Sequence, residues 1–302
     1  MKSLPDRLTD GDVLVADGAT GTNLQRMGLG LGVAPEEWVL DEPQHIVALH
    51  RAFVEAGADI VLTCTFGGTR IRMRDSKYAE RAPEVNRRAV LLARQAATGH
   101  SVLVAGSMGP TGMLMEPFGD LTPAQCVQTY AEQAEALSDS GVDFLLLETF
   151  FALEEALAAI QGVQQVSRLP LVVSFSFDQG TRTMMGLRVR EVVEAIEPLG
   201  VTAIGANCGK TLDSMMQIVT ELSADAHVPL WIKPNAGLPR MVGDVAAYDV
   251  TPAIMAEFAQ RYVCAGARVV GGCCGSTPEH VAAIARAVKS PRSEPQPFEA
   301  SP

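Results

Sequence analysis

Short apolar runs alternate with longer amphipathic stretches along almost the whole chain. Each run is nearly continuously apolar over five or six residues, which is typical of parallel strands that are covered on both faces. The runs predict eight strands, at 13–17, 59–64, 102–106, 143–148, 171–176, 202–207, 229–233 and 268–272. Between them apolar residues recur at helical spacing. Helices are therefore predicted around 46–54 and near 83–98, 122–140, 153–166 and 277–289.

Helix boundaries are also marked in the sequence. Thr122 is followed by Pro123 and, at the capping-box position, by Gln125, which predicts a helix that begins at Pro123. Thr-Pro pairs at 251–252 and 277–278 repeat the cap-and-proline pattern. Glycines in "EAGAD" and "DSGVD" close two other helices directly before the next strand. These signals indicate strands and helices that alternate regularly.

Eight strand-helix units in this length predict a (β/α)₈ TIM barrel, a fold that typically takes about 250 residues. The alternative is an open doubly wound sheet, which usually carries a glycine-rich phosphate loop after its first strand. The segment "DGATGTNLQ" does not match that G-x-G-x-x-G pattern. We expect one barrel domain over residues 1–289. Residues 290–302, rich in Pro, Ser and Glu, are expected to form a disordered tail.

Composition narrows the classes of function. The chain has 302 residues, 47% of them hydrophobic, and a net charge of −11. An acidic chain without clustered Lys and Arg argues against nucleic-acid or anionic-membrane binding. The N-terminus lacks the apolar core of a signal peptide, and no apolar run reaches membrane length. We expect a cytoplasmic protein whose six cysteines are thiols or metal ligands rather than a disulfide framework.

A barrel places its active-site groups where the strands end and the following loops begin. Polar and sulfur residues are concentrated at these predicted ends. They are Asp17, Gly18, Ala19, Thr20, Thr63, Cys64, Thr65, Glu148, Asn207, Cys208, Lys233, Pro234, Asn235, Cys273 and Cys274. Three of the six cysteines lie after the sixth and eighth strands, which are one strand apart in a closed barrel. They can therefore face each other across its mouth.

Three thiolates that converge in this way suit Zn²⁺, which binds sulfur tetrahedrally and would keep one position open for a substrate. Gly271, Gly272 and Gly275 would let the backbone leave strand geometry, so that Cys273 and Cys274 turn toward one ion. Two other interpretations stay open on spacing alone. The adjacent cysteines could form a vicinal disulfide, or they could be small core residues.

Several segments resemble the zinc-dependent homocysteine S-methyltransferases, over residues 13–288. These segments, in the order of that family, are "DGATGTNL", "HRAFVEAGADIVLTCTFGGTR", "GPTG", "GANCG", "PNAGLP" and "GGCCGSTPEH". The chain looks most like the compact bacterial betaine-homocysteine S-methyltransferases, and it is also similar to the homocysteine domain of cobalamin-dependent methionine synthase. The resemblance implies a (β/α)₈ barrel in which Cys208, Cys273 and Cys274 hold zinc.

The resemblance also implies a reaction, methyl transfer to the thiol of L-homocysteine to give methionine. A free thiol is mostly protonated at neutral pH, and coordination to zinc would deprotonate it. Glu148 and Asp17 are expected to bind the substrate ammonium, and backbone N–H groups of the turn at 18–21 its carboxylate. Alternatively, Glu148 is a solvated charge and Asp17 a turn former. Asn207 and Asn235 are further candidate substrate-binding residues, although Asn235 could instead serve a turn.

The methyl donor is expected to be betaine or a related methylated ammonium or sulfonium compound. A quaternary ammonium favours aromatic faces, so Trp38 is the candidate wall, with Phe66 and Phe150 behind it. Arg70 or Arg182 could pair with a donor carboxylate. Two alternatives stay open: a methyl-corrinoid or methyl-pterin partner protein as donor, and a non-catalytic zinc or redox thiol protein. Whether the chain forms a homo-oligomer is also open.

The remaining cysteines and the histidines are given no metal-binding role. Cys64 is expected to be a pocket-lining thiol at a position where the family often has asparagine. Cys126 and Cys264 fall in helical stretches and are expected to lie in the core. None of the five histidines has the spacing of a metal ligand.

Overall fold

The structure is a computed structural model that describes residues 2–242 and 245–289. The expected tail at 290–302 lies outside the described residues. The strands are β1 Leu14–Val15, β2 Ile60–Leu62, β3 Leu103–Met108, β4 Phe144–Phe150, β5 Leu171–Phe175, β6 Ala203–Cys208, β7 Leu230–Pro234, β8 Arg240–Val242, β9 Val245–Ala247 and β10 Ala267–Val270. The helices are α1 Leu4–Thr9, α2 Gly21–Arg26, α3 Trp38–Asp41, α4 Pro43–Glu55, α5 Ala82–Ala96, α6 Pro123–Asp139, α7 Leu153–Val166, α8 Val189–Ile196, α9 Leu212–Asp225, α10 Pro252–Cys264 and α11 Pro278–Lys289.

Eight parallel strands form a closed barrel. Their order is β1, β10, β7, β6, β5, β4, β3, β2. A parallel bridge between Ala16, directly after β1, and Ile60 of β2 joins the two ends of this order. The helices surround this sheet, as the (β/α)₈ prediction requires. The open doubly wound sheet is wrong because the edge strands pair with each other, which leaves no free edge.

The predicted helix boundaries are confirmed where the sequence marked them. Thr122 and Gln125 form a reciprocal capping box at the start of α6, and the Thr251 side chain accepts a hydrogen bond from the Ile254 amide at the start of α10. Gly57 and Gly141 have positive φ values of 96° and 88° directly after α4 and α6, a conformation that glycine adopts without steric cost. In the described part of the chain, no helix is both long and apolar enough to cross a membrane.

Apolar side chains fill the barrel interior below the mouth. Trp231 and Phe144 meet edge to face with ring centroids 6.0 Å apart, and Leu4 and Leu8 of α1 join the same cluster and close the bottom of the barrel. Gly205 makes room for this packing, since a Cβ atom there would lie 1.7 Å from the Trp231 carbonyl oxygen. The interior is therefore a packed core, and open space is confined to the mouth.

Strand alternation carries two charged residues to the interior side of the mouth. Phe144 and Leu146 of β4 belong to the interior cluster, so Glu148, two residues on, points to the same side. In β7, Trp231 is interior and places Lys233 there by the same rule. Both charged side chains are buried, with exposed fractions of 7% for Glu148 and 2% for Lys233. The alternative that Glu148 is a solvated charge is therefore wrong.

Between β7 and α10 the chain forms a small antiparallel hairpin, β8 with β9. The sequence pattern does not predict this hairpin, because three-residue strands carry too little alternation to be recognised. The hairpin leads into Tyr248, which lies against the loop that follows β10.

Candidate metal centre and substrate cavity

Three cysteine side chains meet at the mouth of the barrel. Cys208 ends β6, whereas Cys273 and Cys274 follow β10, and β7 lies between these two strands. The Sγ atoms of Cys208 and Cys273 are 3.2 Å apart, and all three sulfurs lie within 4.8 Å of one another. In the described residues no other group of three His, Cys, Asp or Glu side chains converges in this way. None of the six cysteines forms a disulfide.

The backbone leaves regular strand geometry where the cysteines converge. Alternation along β6 would turn Cys208 toward the helices, because Ile204 and Ala206 pack there. Cys208 instead has a φ of 61°, which is uncommon for a residue other than glycine and typical of functional sites. Among the three expected hinge glycines, only Gly275 has positive φ, at 81°. A Cβ there would also lie 2.2 Å from the Tyr248 ring, so only glycine fits.

The three sulfur ligands fit a zinc ion. Tetrahedral zinc with Zn–S bonds of about 2.3 Å places sulfur atoms ~3.8 Å apart, which agrees with three sulfurs within 4.8 Å of each other. Hydrogen bonds from Cys208 and then Cys273 lower the pKa of Cys274 to about 3. The hydrogen bond with Cys273 raises the pKa of Cys208 well above its ordinary value. A divalent ion would stabilise all three sulfurs as thiolates.

Asn207 supports the sulfurs from behind. Its amide nitrogen donates to Thr149 Oγ1 at 2.6 Å and to the Sγ of Cys208 at 3.3 Å, and the Sγ of Cys273 lies 3.9 Å away. Its amide oxygen accepts from Ser174 Oγ and from the Thr149 backbone N–H. The side chain is fully buried and does not line the cavity, so it is placed to orient thiolates rather than to contact a substrate.

Asn235 follows β7 and lies between the two cysteine segments. Its backbone N–H donates to the Cys208 carbonyl, and its Nδ2 donates to the Gly209 carbonyl at 2.9 Å. Its Oδ1 is buried without a hydrogen-bond partner in the described residues. An unsatisfied buried acceptor is costly.

Asp17, Lys233 and Glu148 form a buried charged group beside the sulfurs. Lys233 Nζ donates to Asp17 Oδ1 at 2.8 Å, and the Leu62 backbone N–H donates to Asp17 Oδ2 at 2.7 Å. Both oxygens of Asp17 are thus taken by the protein itself. Desolvation, opposed by the attraction of Lys233, raises the pKa of Glu148 to about 7. The Ser107 hydroxyl donates to one Glu148 oxygen.

A cavity of about 710 Å³ opens above the three sulfurs. This volume is in the range of small-molecule sites. The predicted site residues that line it are Gly18, Ala19, Thr20, Cys64, Glu148, Cys208, Cys273 and Cys274. The predicted site residues Asp17, Trp38, Asn207 and Asn235 are not among the lining residues. The cavity therefore brings together the cysteines, Glu148 and the loop after β1.

The aromatic wall expected at the donor end is different in the structure. Trp38 stacks on His45, with ring centroids 4.9 Å apart, outside the cavity lining. Phe150 is fully buried and packs against Tyr130 and Phe175. Of the three expected aromatic residues, only Phe66 lines the cavity.

The arginines at the donor end also differ from the expected ones. Arg70 is paired with Glu132 and Glu80, and Arg182 donates to the Gly186 carbonyl. Arg72 and Arg74 line the cavity instead. The Arg72 guanidinium packs on the backbone of Gly112, where a Cβ would lie 2.1 Å from Nη1.

A buried acid accompanies these cations. Glu36 lines the cavity with an exposed fraction of only 4%, and its Oε1 accepts a hydrogen bond from the Gly67 N–H at 2.6 Å. Desolvation raises the pKa of Glu36, and the nearby Arg72 opposes the shift. Glu36 lies in a single 3₁₀ turn, Pro35–Glu37, and Arg72 lies in a loop, so no periodic signal could have placed them here. Lys233 is one of the polar residues predicted at the strand ends, and its inward direction follows from strand spacing after Trp231.

The expectations for the other cysteines are met in part. Cys126 is fully buried in α6, as expected, and Cys64 is buried in the cavity wall. Cys264 is exposed at the end of α10, so its assignment to the core is wrong: it lies on the outer face of its helix. The cysteine cluster in the described residues contains no histidine.

Comparison with known proteins identifies relatives over nearly the whole barrel. A family model described as homocysteine S-methyltransferase matches residues 14–288. The methionine synthases of Mycobacterium leprae (strain TN) and Mycobacterium tuberculosis (strain ATCC 25618 / H37Rv) are each 33% identical over 293 residues. These alignments cover 91% of this chain but 24% of each synthase, so the chain spans only a small part of their length.

Solved structures give a similar result. The oxidized form of the homocysteine methyltransferase MmuM from Escherichia coli aligns with a TM-score of 0.78 and 26% identity, covering 93% of this chain and 98% of that one. Its metallated form aligns with the same TM-score at 25% identity, covering 93% and 99% of the two chains.

Proposed function

Since the chain belongs to the homocysteine S-methyltransferase family, we propose that it methylates the thiol of L-homocysteine, giving methionine, with zinc bound by Cys208, Cys273 and Cys274. The observation that carries this proposal is the cluster of three sulfurs in the wall of a cavity that Glu148 also lines. Zinc would supply the positive charge that keeps the substrate sulfur deprotonated at neutral pH.

The residues around the sulfurs account for substrate orientation. Glu148 has one oxygen bonded by Ser107, and its other oxygen is available for the substrate ammonium. Asn207 donates from its amide nitrogen to the Cys208 sulfur and to Thr149 Oγ1. The packed interior below the mouth keeps the substrate chain on the loop side. Methyl transfer then needs the donor carbon in line with the sulfur, at the other end of the cavity.

The outer end of the cavity favours a small methyl donor that carries one positive and one negative charge. Glu36 provides a buried carboxyl group that suits an ammonium or sulfonium centre, and Phe66 adds one aromatic face. Arg72 and Arg74 are suited to a carboxylate. Betaine has both features, as do related methylated sulfonium compounds. We therefore propose a donor of this class, in a protein of the cytoplasm, where free thiols persist.

Turnover assays with zinc-loaded protein and homocysteine test the donor. We expect methionine formation with betaine or S-methylmethionine at a rate at least ~100-fold above the same mixture without enzyme. A mixture without homocysteine is the control for donor breakdown. Activity that requires a methyl-corrinoid or methyl-pterin protein, with none from the small donors, would contradict the proposed donor class.

Arg72 should contribute to binding of the methyl donor but not to binding of homocysteine. The substitution Arg72→Met removes a cation from the outer cavity, so we expect the KM for the donor to rise about tenfold or more, as for a lost charged hydrogen bond. The affinity for homocysteine should change less than about twofold, because the contacts of Arg72 are with Gly112 and Glu36 rather than with the cysteines or Glu148. Arg70→Met is the matched control, since Arg70 is paired outside the cavity. Equal effects of both variants would show that Arg72 does not contact the donor.

A protein-bound methyl donor is the second candidate. Large apolar side chains are exposed on loops that follow strands at the mouth. These are Leu31, Val33, Leu114, Phe118, Met184, Met185 and Leu238, with exposed fractions from 39% for Val33 to 76% for Phe118. Such a rim is a feature of protein contact sites, and a methyl-corrinoid or methyl-pterin protein could dock there. The donor assay separates this candidate from the first.

A non-catalytic zinc or redox role is less well supported. A structural zinc site is closed by four protein ligands, whereas the cluster in the described residues has three. The cysteines also line a cavity large enough for small molecules. Both features favour a site that accepts a substrate thiol.

A further inference from the structure

The loop after β3, residues 109–112, lies behind the donor end of the cavity. The Gly109 N–H donates to the Phe66 carbonyl at 2.8 Å, and a Cβ atom at Gly109 would lie 2.4 Å from the Phe66 ring. Gly112 stands in the same relation to Arg72, with 2.1 Å from such a Cβ to Nη1. Phe66 and Arg72 line the cavity, and the four loop residues are not among the lining residues. The loop therefore supports both the aromatic face and the cation from outside the cavity.

A buried carboxyl group of α7 holds this loop in place. Glu155 has an exposed fraction of 2%, and its Oε1 accepts from the Thr111 backbone N–H at 2.8 Å and from the Thr111 hydroxyl at 2.7 Å. The Tyr130 hydroxyl lies 3.0 Å from the same oxygen and 3.1 Å from the Gly109 carbonyl oxygen, so its single proton can be donated to either. A buried carboxyl group is costly unless it is hydrogen-bonded. Glu155 does not line the cavity, so it holds the loop rather than contacting a substrate.

A further contact joins the chain between Phe66 and Arg72 to the buried acid Glu36. The Gly67 N–H donates to Glu36 Oε1 at 2.6 Å. A Cβ at Gly67 would lie 3.1 Å from that oxygen and 3.2 Å from Arg72 Cγ. The side chains at the donor end are thus packed on glycine backbone, and the backbone of two loops sets their relative positions.

The next inference rests on the function proposed above. We propose that residues 109–112 fix the distance between the Phe66 ring and the Arg72 guanidinium, and that this distance selects the methyl donor by the number of carbons between its cationic centre and its carboxylate. Gly109 and Gly112 are then specificity-determining positions. A donor of the wrong length cannot place both charges while its methyl group stays in line with the sulfur, and a misplacement of about 1 Å can cost roughly 100-fold in rate. Glu155 is a positioning residue, since it acts through the loop.

A series of sulfonium carboxylates that differ only in this length tests the inference. The donors are dimethylsulfonioacetate, 3-(dimethylsulfonio)propanoate and 4-(dimethylsulfonio)butanoate. In each case the homocysteine thiolate forms a bond to the methyl carbon, the electron pair of the broken C–S bond stays on the donor sulfur, and a methylthio carboxylate leaves. Rates of methionine formation by zinc-loaded protein at saturating homocysteine give kcat/KM for each donor. We expect wild-type protein to prefer one donor over its neighbours in the series by at least about tenfold.

The substitution Gly112→Ala tests the support of the guanidinium. The added Cβ displaces Arg72 Nη1, so we expect the kcat/KM values of the donors to come within about threefold of one another. The KM for homocysteine should change less than about twofold, because the cysteines and Glu148 are not touched. Gly99→Ala is the matched control. Gly99 has a φ of 83°, close to the 77° of Gly112, but a Cβ there would meet nothing within 4 Å, so this variant has the same backbone strain and should keep the wild-type preference.

The contact between the loop and Glu155 is tested at Thr111. The substitution Thr111→Val removes the hydroxyl that donates to Glu155 Oε1, and we expect it to reduce the preference for the best donor by about threefold or more. Thr111→Ser keeps a hydroxyl at this position and should keep the wild-type preference. A role in folding alone would lower all the kcat/KM values together and leave the preference unchanged.

The outcomes are distinct. Wild-type protein that uses the donors of the series with equal kcat/KM overturns the role of the loop and leaves homocysteine methylation intact. A Gly112→Ala protein that keeps the wild-type preference also overturns it, and if that variant does not fold, an unchanged preference in Thr111→Val does so. Wild-type protein that uses none of the sulfonium donors overturns it as well. Methionine formation from betaine in the same assay would then leave the proposed function standing, and none from betaine would overturn the proposed donor class too.

Discussion

Replacing Cys274 by serine is expected to remove zinc from the protein and to lower homocysteine methylation by at least ~1000-fold, the scale on which essential groups contribute to catalysis. A serine hydroxyl does not ionise at neutral pH and is a poor zinc ligand beside two thiols. The two remaining sulfurs, Cys208 and Cys273, cannot complete a site whose three ligands lie within 4.8 Å of one another. Zinc content per chain and the initial rate of methionine formation are the measurements.

Cys264→Ser is the matched control for this substitution. Cys264 is exposed and lies at the end of α10, away from the cluster, so zinc content and activity should equal those of wild-type protein. A Cys274→Ser protein that retains one zinc per chain and full activity would refute the three-cysteine site. Zinc that is retained without activity would favour a structural metal.

Replacing Glu148 by glutamine is expected to raise the KM for homocysteine by about 30-fold or more, as for a buried charge pair that loses one partner. In wild-type protein the contribution of Glu148 to homocysteine binding should depend on pH. The pKa of Glu148 is raised to about 7, so the carboxylate gains a proton as the pH falls through 7, and wild-type affinity for homocysteine should decline there. The Glu148→Gln variant should lack this acidic limb, which a series of KM values from pH 5.5 to 8.5 would reveal.

The same substitution should stabilise the metal-free protein at high pH. A carboxyl group whose folded pKa is raised supports folding below its unfolded pKa, and this support is lost as the pH rises through the folded value. Above pH 7, therefore, Glu148→Gln removes a buried charge and should raise the free energy of unfolding by up to ~3 kcal/mol, with little change at pH 5. Glu154→Gln, an exposed residue at the start of α7, is the control for both measurements. A Glu148→Gln protein with wild-type KM would contradict its role in binding ammonium.

The barrel could be predicted because its signals are local. Each strand is a short apolar run between residues that start or end helices, and Thr122 with Gln125 marks a helix start within four residues of sequence. A closed barrel is then predicted because eight strand-helix units are the number that this fold requires. The zinc ligands could be predicted for a similar reason. Strand ends converge at one face of any barrel, so Cys208, Cys273 and Cys274 had to lie near each other.

The donor end was predicted less well. The aromatic ring of Trp38 predicts a wall for a cationic donor, but the side chain lies on His45 outside the cavity. Arg70 was chosen over Arg72, although they are two residues apart in one loop. Arg70 is paired with Glu132, whereas Arg72 packs on Gly112, and only these contacts separate their roles. Loops have no repeating pattern from which the direction of a side chain could be inferred.

By itself the sequence determined the barrel and the positions of the three cysteines, because these depend on short-range periodicity and on the polarity of a parallel sheet. Only the tertiary structure decided what Asp17 and Lys233 do. They are 216 residues apart; the sequence predicts a substrate or turn role for Asp17 and only a strand-end position for Lys233. Burial forces such charges to pair, and which charges meet depends on contacts across the closed barrel that no local pattern encodes.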